Sequence, residues 1–240
     1  MGAGRFPVRG GLTFAMARRT YLERLFPMPP IFQDLAQEWC ADQSTLLLKI
    51  VWDAYDRLKL EHFDRVPPAL DDERKEESFN ALLAVTMTRC KSAFAPFDIL
   101  HEFPEQTSRM GGRANSPHPD IAFSFHNNPR SVWPLEGKVL YSEDDIDAYC
   151  AEVAENFLTG RYATFSSEGA MLGYLLGGKA DDALKNIARL LQCRLFKHKS
   201  FMRHPHRVSS HQRKKLPTSA SPLRFQCHHL ILVIQATPFA

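Results

Sequence analysis

The stretch PDIAFSFHNNPRSVWPLEGKVLY, residues 119–141, decides how this chain is read. Ile121, Phe123 and Phe125 alternate with Ala122 and Ser124, the period of a strand with one buried face. His126-Asn127-Asn128-Pro129-Arg130 has the chemistry of a turn. Ser131 to Tyr141 is a second apolar run, so the spacing predicts a β-hairpin. With the turn centred near Asn128, Asp120 falls opposite Glu136, where facing Cβ atoms come to about 5 Å. Lys138, two residues beyond Glu136, projects from the same face. Asp120, Glu136 and Lys138 therefore converge at one end of the hairpin, and Ile121, Phe123, Leu135 and Val139 take the opposite face. A register slip of one residue would undo this arrangement.

Charges set into apolar strands cost stability unless they are used. Two carboxylates are hard oxygen ligands suited to Mg²⁺, with Mn²⁺ as a substitute. Such a cation stabilises charge on a phosphodiester and lowers the pKa of a bound water. A nearby lysine orients that water or acts on the phosphate as a point charge. Glu73-Arg74-Lys75 also has an acid two residues before a lysine, but it sits in a polar charge run with no paired Asp. The plainer alternative makes Asp120 a turn residue and Glu136 with Lys138 a same-face ion pair.

Around the hairpin the chain alternates helices and strands. Leu46, Leu47, Ile50, Val51, Ala54 and Leu58 recur at helical spacing within 31–65, and Val66-Pro67-Pro68 ends that pattern. Asp71 to Lys75 starts a second helix carrying Phe79, Leu82, Leu83, Val85 and Met87. After the hairpin, Ser142 with Asp145 has the form of a capping box. Ile146, Tyr149, Cys150, Val153 and Phe157 then mark a helix that Gly160 ends. Arg161–Phe165 and Met171–Leu176 are expected as strands, Asp181–Leu195 as a helix, 197–223 as basic irregular chain, and His229–Ile234 as a last strand. The fold expected is α/β, a central mixed sheet flanked by helices with an N-terminal helical annex. The divisions are a leader at 1–30, the annex at 31–70 and a main domain at 71–240.

With 240 residues, 44% hydrophobic and 24% charged, the chain has the composition of a globular protein rather than a disordered one. No apolar run approaches the roughly 20 residues a membrane helix needs. Five scattered cysteines without a CxxC pair read as reduced thiols, which implies a cytoplasmic protein. The net charge of +3 hides an asymmetry. No acid follows Asp182, while eleven Lys and Arg do, so residues 1–182 carry 3 − 11 = −8. A basic end on an acidic body suggests a polyanion-facing surface. Within it His211, Arg213, Lys214, Lys215, Arg207 and Arg203 are the candidate nucleic-acid contacts. Six histidines fall in the same segment, but their spacing with Cys193 and Cys227 matches no zinc pattern. Trp133 reads as a packing residue. Arg161 and Glu168 flank the Gly169 turn and either touch substrate or buttress the site.

Pro119-Asp120, fifteen intervening residues and then Glu136-Gly137-Lys138 resemble the motif of the PD-(D/E)xK phosphodiesterase superfamily, the restriction-endonuclease-like proteins. The block GRYATFSSEGAMLGYLL, Gly160 to Leu176, is similar to a group of uncharacterised bacterial members, as are Ser209 to Arg213 and His228-His229-Leu230. The resemblance covers roughly 75–240 and leaves 1–70 unexplained. It implies a Mg²⁺-dependent endonuclease cutting DNA, in defence against foreign DNA. Asp120 and Glu136 would hold the metal, Lys138 would orient water, and Glu76 would be a third acid from the preceding helix. Gly137 departs from the family, whose central residue is often apolar. The alternative is an inactive nuclease-like subunit that binds nucleic acid or scaffolds a defence complex, with 31–70 as the contact for a second copy or a partner.

Overall fold

A computed structural model describes residues 42–61, 71–102, 118–126, 128–214, 216 and 221–234. The leader, parts of the annex and Lys215 lie outside the described residues. Helix α1, Gln43–Glu61, is capped by Asp42, which accepts from Thr45 N at 3.0 Å and Thr45 Oγ1 at 2.6 Å. Helix α2, Asp72–Cys90, is capped by Asp71, which accepts from Arg74 N at 2.9 Å. Both bury a stripe at three- and four-residue spacing: Leu47, Leu48, Val51, Trp52, Tyr55 and Leu58 in α1, and Phe79, Leu83 and Met87 in α2.

These helices lie on one face of a seven-stranded sheet of order β1-β2-β3-β4-β7-β6-β5. The strands are β1 Phe97–His101, β2 Ile121–Phe125, β3 Asn128–Leu140, β4 Glu168–Leu175, β5 Phe196–Lys197, β6 His206–Gln212 and β7 Arg224–Val233. The first three pair antiparallel, β3, β4 and β7 run parallel, and β7, β6 and β5 pair antiparallel. Parallel pairing requires crossovers. Helix α3, Asp147–Glu152, continuing as a π-helical turn at Val153–Phe157, links β3 to β4. Helix α4, Ala180–Leu190, follows β4. Both α3 and α4 cover the other face, around Tyr149, Val153, Phe157, Leu184 and Ile187. The result is the expected mixed sheet flanked by helices. No helix among the described residues is long and apolar enough to cross a membrane.

Helix α1 belongs to the main core rather than to an annex. It shares one apolar cluster with α2 and the sheet, and Tyr55 Oη donates to Val233 O at 2.9 Å. The hairpin register is the expected one, Ile121 facing Leu135 and Phe123 facing Trp133. A shift at Ser124/Phe125 pairs Phe125 with Asn128, so β3 starts earlier than Ser131. Ser142 and Asp145 do not cap α3. Their side chains accept from Asp144 N at 3.3 Å and Tyr141 N at 3.2 Å, closing a turn ahead of it. Residues 161–165 are not a strand, because Ala163 is left-handed at φ 54° and the surrounding carbonyls are bound by a side chain. Gln192, at φ 51°, stops α4 well short of Leu195. The stretch 197–223 is not irregular throughout. It contains β6, whose backbone completes the ladder on β7, and β7 itself begins at Arg224 rather than His229.

Two histidines are held neutral inside this core. Burial pushes His206 down to about 2, helped by His228 and His198, and pushes His229 down to about 3, helped by His211 and His228. An unfolded histidine takes a proton near its ordinary value of 6.5. Their contribution is thus complete above that pH and lost as pH falls toward 3, at about 1.4 kcal/mol per pH unit for each. Between pH 7 and pH 5 the shift of the urea midpoint is expected to be less unfavourable in His229→Asn than in the wild type. Parallel pH dependence of the variant and the wild type would contradict the burial of a neutral imidazole at His229.

Candidate active site at the hairpin edge

Strand β2 stops pairing at Ile121, while β3 runs on to Leu140. Beyond Leu135 the β2 side of β3 therefore has backbone donors that no strand takes. Side chains take them instead: Gly137 N donates to Asp120 Oδ2 at 2.7 Å, and Val139 N to the Glu76 carboxylate. Asp120 N in turn donates to Glu136 Oε2 at 3.3 Å. The end of one strand and the open edge of the next thus lock Asp120 and Glu136 together.

Lys138 is the centre of the cluster. Its Nζ is 2.6 Å from Glu76 Oε1, 3.7 Å from Glu136 Oε1 and 3.8 Å from Glu152 Oε1. Glu76 arrives from α2 on one face of the sheet and Glu152 from α3 on the other. They meet around the lysine because the unpaired edge leaves a passage between the layers. The structure thus brings together Asp120, Glu136, Lys138 and Glu76, and adds Glu152.

Burial dominates the electrostatics. Glu136 is 4% exposed. Desolvation, then the charges of Asp120 and Glu152, push its carboxyl up to about 9. Asp120 is also raised, by burial and Glu152, although Gly137 N, Lys138 and Asn80 oppose the rise. Burial likewise raises Glu76 despite its bond to Lys138. Burial works against the charge on Lys138, yet the acids outweigh it and hold the ammonium above its ordinary value. Lys138 is therefore protonated at neutral pH and acts as a cation.

Asn80 and Gly137 explain each other. Asn80 stands one helical turn after Glu76, on the same face of α2. Its Oδ1 accepts from Tyr174 Oη at 2.6 Å, and its side chain bonds Asp120. A Cβ on residue 137 would strike Asn80 and come within 2.9 Å of Tyr174. Glycine is needed there for the close approach of this second layer.

Sequence patterns missed Glu152 and Asn80. Glu152 lies three residues after buried Tyr149, at the border of the apolar stripe of α3, and Asn80 lies four after Glu76. Those helical offsets are the signals that point to them.

The candidate nucleic-acid contacts divide. Arg203 and Lys214 are exposed, and Arg207 is tied to Asp181 at 2.9 Å. Arg207 lies on β6 and Arg203 just before it. In the sheet β4 and β7 separate β6 from β3, so the basic edge is displaced from the carboxylates. His211 is half-buried, with Nε2 2.7 Å from Ser209 Oγ. Arg213 is not a surface contact. It is 2% exposed, donates to the carbonyls of Phe157, Tyr162, Ala163 and Ser166, and stacks 4.0 Å from the Phe225 ring. It clamps the loop after α3, whose Tyr162 Oη reaches back to His118 O at 3.3 Å beside the acids. Arg161 is exposed. Glu168 lies elsewhere, on the α1 side of the sheet.

Among the described residues no group of three or more His, Cys, Asp and Glu side chains is set out as a finished cation cage. The donor chemistry nevertheless fits a hard cation, since Asp120 and Glu136 are adjacent oxygen donors whose mutual repulsion a cation would relieve. Comparison with family models, with curated proteins and with solved structures found no match.

Because the fold raises the Glu136 pKa, its stability contribution is full below about 4.5 and declines as pH rises toward 9. Glu136→Gln is expected to melt above the wild type at pH 8 in chelator, with the gap closing near pH 5. Equal melting temperatures at pH 8 would overturn the assignment of a strained buried acid.

Proposed function

We propose that this chain is a Mg²⁺-dependent endonuclease that hydrolyses DNA phosphodiester bonds. The observation that supports it best is the meeting of Asp120, Glu136 and Lys138, in the hairpin register, with Glu76 from the preceding helix. These are the residues that the likeness to PD-(D/E)xK enzymes implies. Asp120 and Glu136 would hold the cation, which supplies charge stabilisation at phosphorus and a more acidic water. Lys138, fixed by Glu76 and protonated, donates to a phosphate oxygen or to the attacking water. Glu152 approaches Lys138 from the other layer and restrains it from swinging away. Exposed Arg203 and Lys214 would add phosphate contacts and make binding fall with salt. A role against foreign DNA follows from the same likeness.

Purified chain incubated with circular and linear DNA is expected to cut in Mg²⁺ and not in EDTA. Asp120→Ala should abolish cutting, Lys138→Ala should lower it at least about 100-fold, and Glu152→Gln should lower it about 10-fold. Cutting that survives Asp120→Ala sinks the site. Binding without cleavage under any divalent metal moves the protein to a nuclease-like scaffold.

Since Glu136 keeps a proton near neutral pH without a cation, Mg²⁺ binding at pH 7.5 should release protons. Titration calorimetry in buffers of different ionisation enthalpy reads that release directly. A binding enthalpy independent of buffer would argue against Glu136 as a ligand.

A further inference from the structure

Helix α2 and strand β4 place a second pair of side chains behind the hairpin acids, and both, Asn80 and Tyr174, are buried. Tyr174 stands beside Val139 in the parallel ladder of β4 on β3, and its ring packs on Phe79 of α2 with centroids 5.1 Å apart. From there Oη donates to Asn80 Oδ1 at 2.6 Å. The Asn80 side chain in turn donates to the Asp120 carboxylate, which also accepts from Gly137 N at 2.7 Å. Two donors from different elements, a backbone amide of β3 and a side-chain amide of α2, therefore fix the orientation of Asp120.

The direction of this chain follows from what each group can do. An ionised carboxylate only accepts, so Asn80 turns Nδ2 toward Asp120 and leaves Oδ1 for the tyrosine. Turned the other way, Oδ1 would face a carboxylate oxygen with no proton between them. Burial, then the charges of Asp120 and Glu76, hold the Tyr174 phenol well above its ordinary range, so it keeps the proton it donates. Removing Oη would leave Oδ1 buried without that donor and free the amide to rotate away from Asp120. Residue 137 adds a steric requirement. A Cβ there would overlap Asn80 Oδ1 and come within 2.9 Å of Tyr174 Cε2. The glycine between Glu136 and Lys138 thus leaves the room that the bond between Asn80 and Tyr174 occupies.

We infer that Asn80 and Tyr174 are positioning residues for Asp120: Tyr174 holds the Asn80 amide, and Asn80 holds the Asp120 carboxylate in the orientation that meets a divalent cation beside Glu136. The two act in series, so Tyr174 works only through Asn80. A carboxylate already held where a cation needs it loses little freedom on binding, and partners that hold ligands in this way tune metal affinity. The link to the cation rests on the metal-dependent reading above, whereas the hold on Asp120 does not.

The first test is amide hydrogen exchange in the metal-free full chain. The Gly137 N–H reports whether Asp120 is held, and the Leu172 N–H, in the middle of the sheet, reports global opening. Tyr174→Phe, which keeps the ring on Phe79, is expected to speed exchange at Gly137 at least about 10-fold relative to Leu172. Asn80→Ala should do at least as much, and Tyr174→Phe on the Asn80→Ala background should add nothing, because the pair acts in series. The second test is calorimetry with Mg²⁺, whose affinity should fall at least about 10-fold in either single variant. Unaltered relative exchange at Gly137 in folded Tyr174→Phe, or full additivity of the two substitutions, overturns the inference. Equal Mg²⁺ binding by the wild type and Tyr174→Phe overturns its link to the cation. Failure of the wild type to bind Mg²⁺ sinks the metal reading instead, and exchange at Gly137 still decides whether the pair holds Asp120.

Discussion

The hydrogen-bonded register of β2 on β3 is the constraint on which the rest of the site depends. Facing Ile121 with Leu135 puts Asp120 beside Glu136, and the early end of β2 opens the edge beyond. That opening has to be filled, because unpaired backbone donors beneath a helix layer are costly. Asp120 fills one position and Glu76 another. The acids are therefore structural, completing a ladder that the strands leave unfinished.

The cluster is also under electrostatic tension. One ammonium faces four acidic side chains at a buried edge, and the mismatch shows in the raised acids. Perturbed acids of this kind cluster at functional sites and occur in structural ion-pair networks as well. Around it the protein is conservative. Asn80, Tyr174 and Gly137 form a close-packed second layer, and the histidines on either side of the sheet are kept neutral by burial.

Much of this was legible from the hairpin alone, because parity along a strand is strict and the turn fixes register. Asp120, Glu136 and Lys138 follow from counting residues, and Glu76 from its place on the next helix. Other features come from long-range neighbours that local patterns do not contain. Arg213 looks like a phosphate contact in a basic run, but its guanidinium is used on carbonyls about fifty residues earlier in the chain. Polar β6 has the sequence of an irregular segment because its pairing to β7 runs through backbone, not through an apolar alternation. Ser142 and Asp145 carry the letters of a cap, yet side chains so short bond equally well to their own turn. In sequence, α1 is set apart only by Val66-Pro67-Pro68, which breaks the helical pattern after it.

The clamp by Arg213 has a consequence for synthesis. The loop carrying Tyr162 includes a left-handed Ala163, a conformation that a non-glycine residue does not hold unaided. Its restraint is encoded far downstream, on the residue following β6. A nascent chain emerging from the ribosome therefore displays the acids of the hairpin well before it can brace the loop beside them. In a chain made in this order, the carboxylate cluster gains the bracing of its neighbouring loop only after the polar edge of the sheet has been synthesised.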